Sequence, residues 1–338
     1  MKYETKNSPH LESILNILAL GPRSRLNLQI ELPHITRPTL LRNLQKLILS
    51  DQIITLGRGR STLYQLADYN PILSPALPRD LNKEIQFNTN IFNHLRDLLD
   101  TTELSNPLRK LSQSIKILGP ILSDKEKERF TIDFSWKSSA IEGNTYTLPE
   151  TVTLLTTGTA SSSKTSHETQ MILNHKKAID YIWIHPPKPR HLTLKYIIHI
   201  HEILTDGLNI KPGIRHQPVG ISGSMYLPLS NPQTISLALD QTISIINETN
   251  NPIEQTLIAI AMFSYIQPFM DGNKRTARLL GNALMLANDL IPISYRTVDE
   301  KLYRDTLLLF YEQNSLVAFK QLLLEQLHFS HTHYFRTN

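Results

Sequence analysis

An apolar helical run from Leu257 to Tyr265 breaks at Pro268, and a second run resumes through Leu279, Leu280, Ala283, Leu284 and Ala287. Between them lies Asp271-Gly272-Asn273-Lys274-Arg275-Thr276-Ala277-Arg278. Proline cannot continue a helix, and Gly272 reaches backbone angles that bulkier residues resist. A helix that stops and restarts across such a turn presents its new N-terminal amides, and the positive end of its dipole, to one point in space. That arrangement suits a phosphate. Arg275 and Arg278, three apart, occupy neighbouring positions near the helix start and can reach further phosphate oxygens. Asp271 is the only carboxylate in the loop and suits a Mg²⁺ that bridges phosphates. On residue types alone, a plain helix-loop-helix with a capping aspartate and solvated arginines competes on even terms.

The pattern as a whole is more specific. Gln267-Pro268-Phe269-Met270-Asp271-Gly272-Asn273-Lys274-Arg275-Thr276-Ala277-Arg278 resembles the signature of the Fic family, His-Pro-Phe-x-Asp/Glu-Gly-Asn-Gly-Arg-x-x-Arg, meeting ten of its twelve positions. Lys274 in the second glycine slot is a variation seen in the Doc branch. The resemblance implies an all-helical Fic (Fido) domain that binds ATP with Mg²⁺ and belongs to the protein adenylyltransferase class, moving AMP onto hydroxyls of a target protein. It implies that Asp271 holds the metal, that Gly272 and Asn273 form the anion nest beside Lys274, that Arg275 grips the middle phosphates and Arg278 the terminal one, and that Asn282 contacts the nucleoside.

One departure bears on chemistry. Gln267 stands where the family has its proton-accepting histidine, and an amide does not accept a proton near neutral pH. Loss of a general base costs about 10²–10⁴ in rate. The phosphate cradle does not use that base, so binding and transfer are separate expectations here.

A second motif points the same way. Ser138-Ser139-Ala140-Ile141-Glu142-Gly143-Asn144 fits the family's inhibitory pattern, Ser/Thr-x-x-x-Glu-Gly/Asn. Ser138 and Glu142 share a helix face, and Gly143 suits a left-handed cap. The resemblance implies that Glu142 pairs with Arg278 and takes the space of the terminal phosphate; an ordinary helix end with an exposed glutamate is the plainer alternative. Thr147-Leu148-Pro149-Glu150 reads as a capping box. Glu168–Ile184 resembles the helix that precedes the family's core. Lys211–Arg215 with Val219–Pro228 resembles its hairpin flap, expected as a small hairpin over Gln217–Leu227. The resemblance extends over residues 130–330.

The N-terminal segment has a different character. Leu11, Ile14, Leu15 and Leu18 recur at helical spacing up to Gly21-Pro22. A short helix from Ser24 to Leu32 follows, then one opened by Thr36, with Leu40, Leu41, Leu44, Leu47 and Ile48 on its buried face. Ile53–Leu56 and Thr62–Leu66 flank a Gly57-Arg58-Gly59-Arg60 tip, as in a hairpin. This order resembles a winged helix-turn-helix over residues 1–68, which implies that Arg37, Thr39, Arg42 and Asn43 face a major groove of double-stranded DNA while Arg58 and Arg60 touch phosphates. The same segment holds nine Lys/Arg against five Asp/Glu, four of the chain's net five positive charges. That imbalance suits a polyanion; a protein-contact module is the competing reading.

The domain expectation is therefore 1–68, a helical connector with the inhibitory helix over 69–190, and the Fic core over 191–330. Helical patterns are expected at Ile85–Leu99, Asn106–Leu118, Glu168–Ile184, Thr193–Leu204, Ile235–Glu248 and Glu254–Ile266, with a flexible loop at Gly158–Ser166. The fold class is mostly α. Absence of cysteine excludes disulfides and thiolate metal sites. The N-terminus lacks a signal-like apolar stretch and no run is long enough for a bilayer, so a cytoplasmic protein without membrane partners is expected. A homodimer is left open. His199-Ile200-His201-Glu202 is no zinc motif, because Thr205 stands where the second histidine would be, and no P-loop is present. Three functions compete: AMP transfer held off by Glu142, a DNA-binding regulator whose Fic fold only senses nucleotide, and AMP removal.

Overall fold

The computed structural model describes residues 9–57, 59–82, 84–99 and 123–334. The helical pattern expected at Asn106–Leu118 lies outside them, as do Arg58 and the side chain of Arg60. The chain divides into two compact units, residues 1–78 and 79–338.

In the first unit, α1 (Pro9–Ala19), α2 (Arg25–Glu31) and α3 (Arg37–Leu49) pack with strands β1 (Arg23–Ser24), β2 (Ile53–Leu56) and β3 (Leu63–Leu66). The sheet order is β1-β3-β2, antiparallel throughout, with Ile53 opposite Leu66 and Arg23 opposite Tyr64. Ser24 caps α2 by accepting the Asn27 amide. Thr36 occupies the N-cap of α3 without that bond, its hydroxyl turning to Thr39 Oγ1 at 2.9 Å, and Pro38 is accommodated in the first turn. Ile14, Leu18, Leu28, Leu40, Leu44 and Ile53 form the core. Of the residues expected on the outer face of α3, Arg37 and Arg42 are exposed and Thr39 is half-buried. Asn43 departs from that expectation. It is 7% exposed, and its Nδ2 is buried without a hydrogen-bond partner. At i+3 from Leu40 it falls on the apolar stripe rather than beside Arg42.

The second unit is helical: α4 (Ile91–Leu99), α5 (Asp124–Ala140), α6 (Leu148–Thr157), α7 (Ser166–Ile184), α8 (Leu194–Thr205), α9 (Pro232–Glu248), α10 (Pro252–Ile266), α11 (Asn273–Ala287), α12 (Glu300–Gln313) and α13 (Val317–Tyr334). Helix starts are written plainly in the sequence. Ser123/Glu126, Thr147/Glu150 and Thr165/Glu168 each form a full capping box, while Asn231 and Asn251 cap helices opened by proline. Every residue of α10 from Ile253 to Ile266 is buried, which makes it the central helix of the unit.

Two expectations fail locally. Ile85–Leu99 is not one helix: Ile85–Gln86 is a strand, β4, and the helix begins at Ile91. Asn88 Oδ1 takes the Asn90 amide at 3.0 Å, and the short side chain competes with helix at that point. The hairpin expected over Gln217–Leu227 is likewise absent. Only Tyr226–Leu227 is extended, as β5, and it pairs in parallel with β4. Pro218, Gly220 and Gly223 deprive the first arm of a donor and of side chains to pack, so the partner strand comes from elsewhere.

The α10–α11 contact depends on Gly281. A Cβ there would lie 2.8 Å from Ile260 Cδ1 and 3.2 Å from Thr256 Cγ2. Gly281→Val is expected to cost about 1–3 kcal/mol by overpacking, measured by urea denaturation; a stability equal to wild type would contradict this view of the contact.

Candidate phosphate-binding site

α10 ends at Gln267, whose backbone is left-handed with φ 51° and whose amide still donates to Phe263 O at 3.2 Å. The turn that follows is clasped from within. Asn273 Oδ1 accepts the Phe269 amide and Asn273 Nδ2 donates to Phe269 O, both at 2.8 Å. Gly272, at φ 79°, is the N-cap of α11 and brings no capping side chain of its own. The first amides of α11 are therefore the groups left for an external acceptor.

His201 entered the sequence analysis only within a rejected zinc motif. Its ring stacks on Phe269 with centroids 3.8 Å apart, and Nε2 lies 3.0 Å from Asp271 O. Burial holds its pKa below the ordinary histidine value. The neutral ring thus donates from Nε2 and braces the turn. Its position on the buried face of α8, with Ile197, Ile200 and Leu204, was the available signal.

The charged residues sort into two groups. Asp271 is 63% exposed in its side chain and bonded to the Gly272 amide at 2.5 Å and to Arg275 Nη2 at 3.1 Å. Arg278 is fully buried. Its Nη1 meets Glu142 Oε1 at 2.9 Å, its Nε donates to Ser138 Oγ at 2.9 Å, and its Nη2 donates to Ser138 O at 2.7 Å. Its guanidinium also lies 5.3 Å from the centre of the Tyr303 ring. The second carboxylate oxygen of Glu142 is held by Lys274 Nζ at 2.8 Å. Gly143, at φ 93°, turns the chain immediately after this glutamate. Burial alone would push the Glu142 carboxyl up, but Arg278 and Lys274 outweigh it and hold the pKa at about 2.

A cavity of about 470 Å³ opens over the turn. It is lined by Gly272, Asn273, Lys274, Arg275 and Glu142 from this cluster, by Val219–Gly223, and by Arg304 and Tyr311. Glu142 lines it and Arg278 sits behind. Gln267 also lines it, yet its Nε2 is turned to Ser264 O at 2.5 Å. Arg215, 2% exposed, fastens the same corner through Gln267 O at 2.7 Å and Pro268 O at 2.9 Å.

Asn282 is placed differently from the other expected ligands. It is fully buried, and its amide is engaged at both ends with Ile293, Nδ2 to O at 3.0 Å and Oδ1 from N at 2.8 Å. It ties down the segment after α11. No cluster of three or more His, Asp or Glu able to hold a metal occurs among the described residues.

Residues 191–285 match the model of the Fic/DOC family. A protein adenylyltransferase Fic from Nematostella vectensis is 30% identical over 51% of this chain and 41% of its own length. One of the same description from Aedes aegypti is 29% identical over 72% of this chain and 48% of its own. The chain thus spans under half the length of these curated relatives. Among solved structures, Fic-1 from C. elegans superposes with a TM-score of 0.57 at 20% identity, covering 72% of this chain and 73% of that one. A Fic-domain signalling protein from Bacteroides thetaiotaomicron gives 0.54 at 22% identity, covering 67% and 93%. Residues 191–285 are thus similar to the Fic/DOC family, a stretch that includes the turn at the start of α11, and the fold resembles that of the solved Fic structures.

Proposed function

We propose that the second unit is an ATP-binding site of the protein adenylyltransferase class, held closed by Glu142 and slow in transfer because Gln267 replaces a base. The observation that carries the reading is the salt bridge from Glu142 to the buried Arg278, at the mouth of an anion-binding turn. A carboxylate and a phosphate compete for one guanidinium, so the bound carboxylate marks where a phosphate would sit. Gly272, Lys274 and Arg275 surround the remainder of that space; Asn273 shapes the turn rather than offering its side chain. The curated relatives carry the adenylyltransferase name.

Asp271 is the residue that fits a Mg²⁺. Its carboxylate is exposed and belongs to no cluster of three or more His, Asp or Glu among the described residues, so phosphate oxygens and water would complete the shell. The ion would neutralise phosphate charge and fix its orientation. For AMP transfer the target hydroxyl must lose a proton near residue 267. The Gln267 amide cannot take it, and it is turned back onto its own helix end.

Labelled-ATP self-modification compared across wild type, Glu142→Gly, Gln267→His and the double variant separates these elements. Glu142→Gly should bind ATP on the order of tenfold more tightly by calorimetry, and the double variant should gain the most label. Equal ATP binding by wild type and Glu142→Gly would remove the inhibitory role.

The pH response has a definite sign. A carboxylate with its folded pKa depressed to about 2 stabilises its pairing above pH 4.5 and loses that contribution only as pH falls toward 2. Acidification from pH 7.5 to 5 should leave wild-type ATP binding as weak as before. Relief at pH 5 would show that Glu142 titrates above the ordinary carboxylate value, as burial without its cations would make it, and that the pair is looser than the geometry implies.

A second reading concerns the first unit, where exposed Arg37 and Arg42 on α3 and the local charge excess favour duplex DNA through a winged helix-turn-helix arrangement. In that reading the Fic fold serves as a nucleotide sensor. Replacing Arg37, Arg42, Arg58 and Arg60 with alanine should abolish salt-dependent binding to a random duplex in a fluorescence titration; unchanged affinity would leave the unit as a protein-contact module.

A further inference from the structure

His175 is a fully buried titratable side chain that the proposed function does not use. It lies on α7 among Met171, Ile172, Ala178 and Ile179, an otherwise apolar face. Its surroundings fix both nitrogens. Nδ1 is 2.9 Å from Met171 O, and a carbonyl only accepts, so Nδ1 carries the proton. Ser139 Oγ, 3.2 Å from the same nitrogen, spends its own proton on Ser135 O at 2.8 Å and adds a second acceptor there. In the neutral ring Nε2 is then bare. Its neighbour at 3.1 Å is Ser138 Oγ, whose hydroxyl proton must point to it. That leaves the Ser138 lone pairs facing Arg278, and Arg278 Nε donates to them at 2.9 Å.

We infer that His175 is a positioning residue for Arg278, acting through Ser138. The inference rests on the reading of Arg278 as a phosphate ligand and adds how it is aimed. Ser138 holds Nε by its hydroxyl and Nη2 by its carbonyl, so two guanidinium nitrogens are fixed by α5 and only Nη1 faces Glu142. Exchange of carboxylate for phosphate then alters one contact and leaves the arginine in place. Helix α5 is in this sense a scaffold as well as a brake. A protonated His175 would present a second donor to Ser138 Oγ and strand the hydroxyl proton; burial and the nearby Arg275 lower its pKa to about 3 and keep it neutral.

The test uses the full chain in a Glu142→Gly background, with His175→Leu, His175→Gln and Ser138→Ala added singly. Calorimetry with ATP and Mg²⁺ and with adenosine separates phosphate aim from general loosening. His175→Leu and Ser138→Ala should each weaken ATP about tenfold, the consequence of a buried donor left without its oriented acceptor, while adenosine affinity stays the same. His175→Gln keeps an acceptor toward Ser138 and should stay within about twofold of the parent. Unchanged ATP affinity in His175→Leu would overturn the inference. Parallel losses for ATP and adenosine would overturn it too, since they mark a merely structural residue. A nucleotide-independent measurement stands beside these, the hydrogen exchange of the Arg278 Nε–H followed by NMR in otherwise wild-type protein. His175→Leu should speed it about tenfold and His175→Gln should not; equal rates overturn the positioning role. Failure of Glu142→Gly to bind ATP would count against the nucleotide reading, and the arginine exchange rate would still decide the role of His175.

Discussion

A guanidinium with no exposure to water is stable only if its nitrogens are matched by acceptors and its charge by an anion. Arg278 meets both conditions through one short segment of chain, Ser138 to Glu142. That requirement joins the end of α5 to the first turns of α11, and it explains why two sequence motifs far apart in the chain must be found together. Removing the carboxylate leaves a buried cation without its counter-ion, a state that costs several kcal/mol unless another anion arrives. In the proposed reading, phosphate affinity and inhibition are therefore two faces of the same demand.

Much of the second unit was legible because it is written in local chemistry. The capping box at Thr147/Glu150 and the break at Pro268 are encoded within a few residues of where they act. The Ser138–Glu142 spacing and the left-handed Gly143 belong to the same class. The Thr165/Glu168 box, equally local, went unread. What could not be read depends on distant partners. β5 pairs with β4, well over a hundred residues away, so the period of Gln217–Leu227 gave no indication that its companion lay at Ile85. Asn43 sits on a buried stripe that the flanking leucines already outlined, yet its polar type suggested the outer face. Asn282 was assigned by position in a pattern, whereas the fold employs its amide to fasten Ile293. His175 and His201 were readable as histidines on apolar faces, but which loop or arginine each would meet is set by helix packing.

In the proposed reading, the corner at Gln267 keeps a phosphate site while lacking a base. The backbone there is fixed by the helix end, by Arg215 and by the Asn273 clasp, none of which involves the residue-267 side chain as an acid or base. A glutamine finds a local acceptor in Ser264 O and satisfies its donor. Anion binding by amides and guanidinium groups is indifferent to this change. Proton removal is not, because it needs a basic atom facing the attacking hydroxyl.

Lys274 pulls in the same direction as Gln267. Where the family pattern has a glycine, this chain places a cation 2.8 Å from the blocking carboxylate, so Glu142 answers to two positive charges rather than one. Each cation lowers the pKa of that carboxylate, and in the proposed reading each also raises the attraction for a polyphosphate that takes its place. In the proposed reading the turn is sharpened as an anion switch a few residues from position 267, which offers no basic atom. Lys274 then strengthens the hold on an anion while Gln267 supplies no base, so in that reading binding and transfer are set by different residues of one turn.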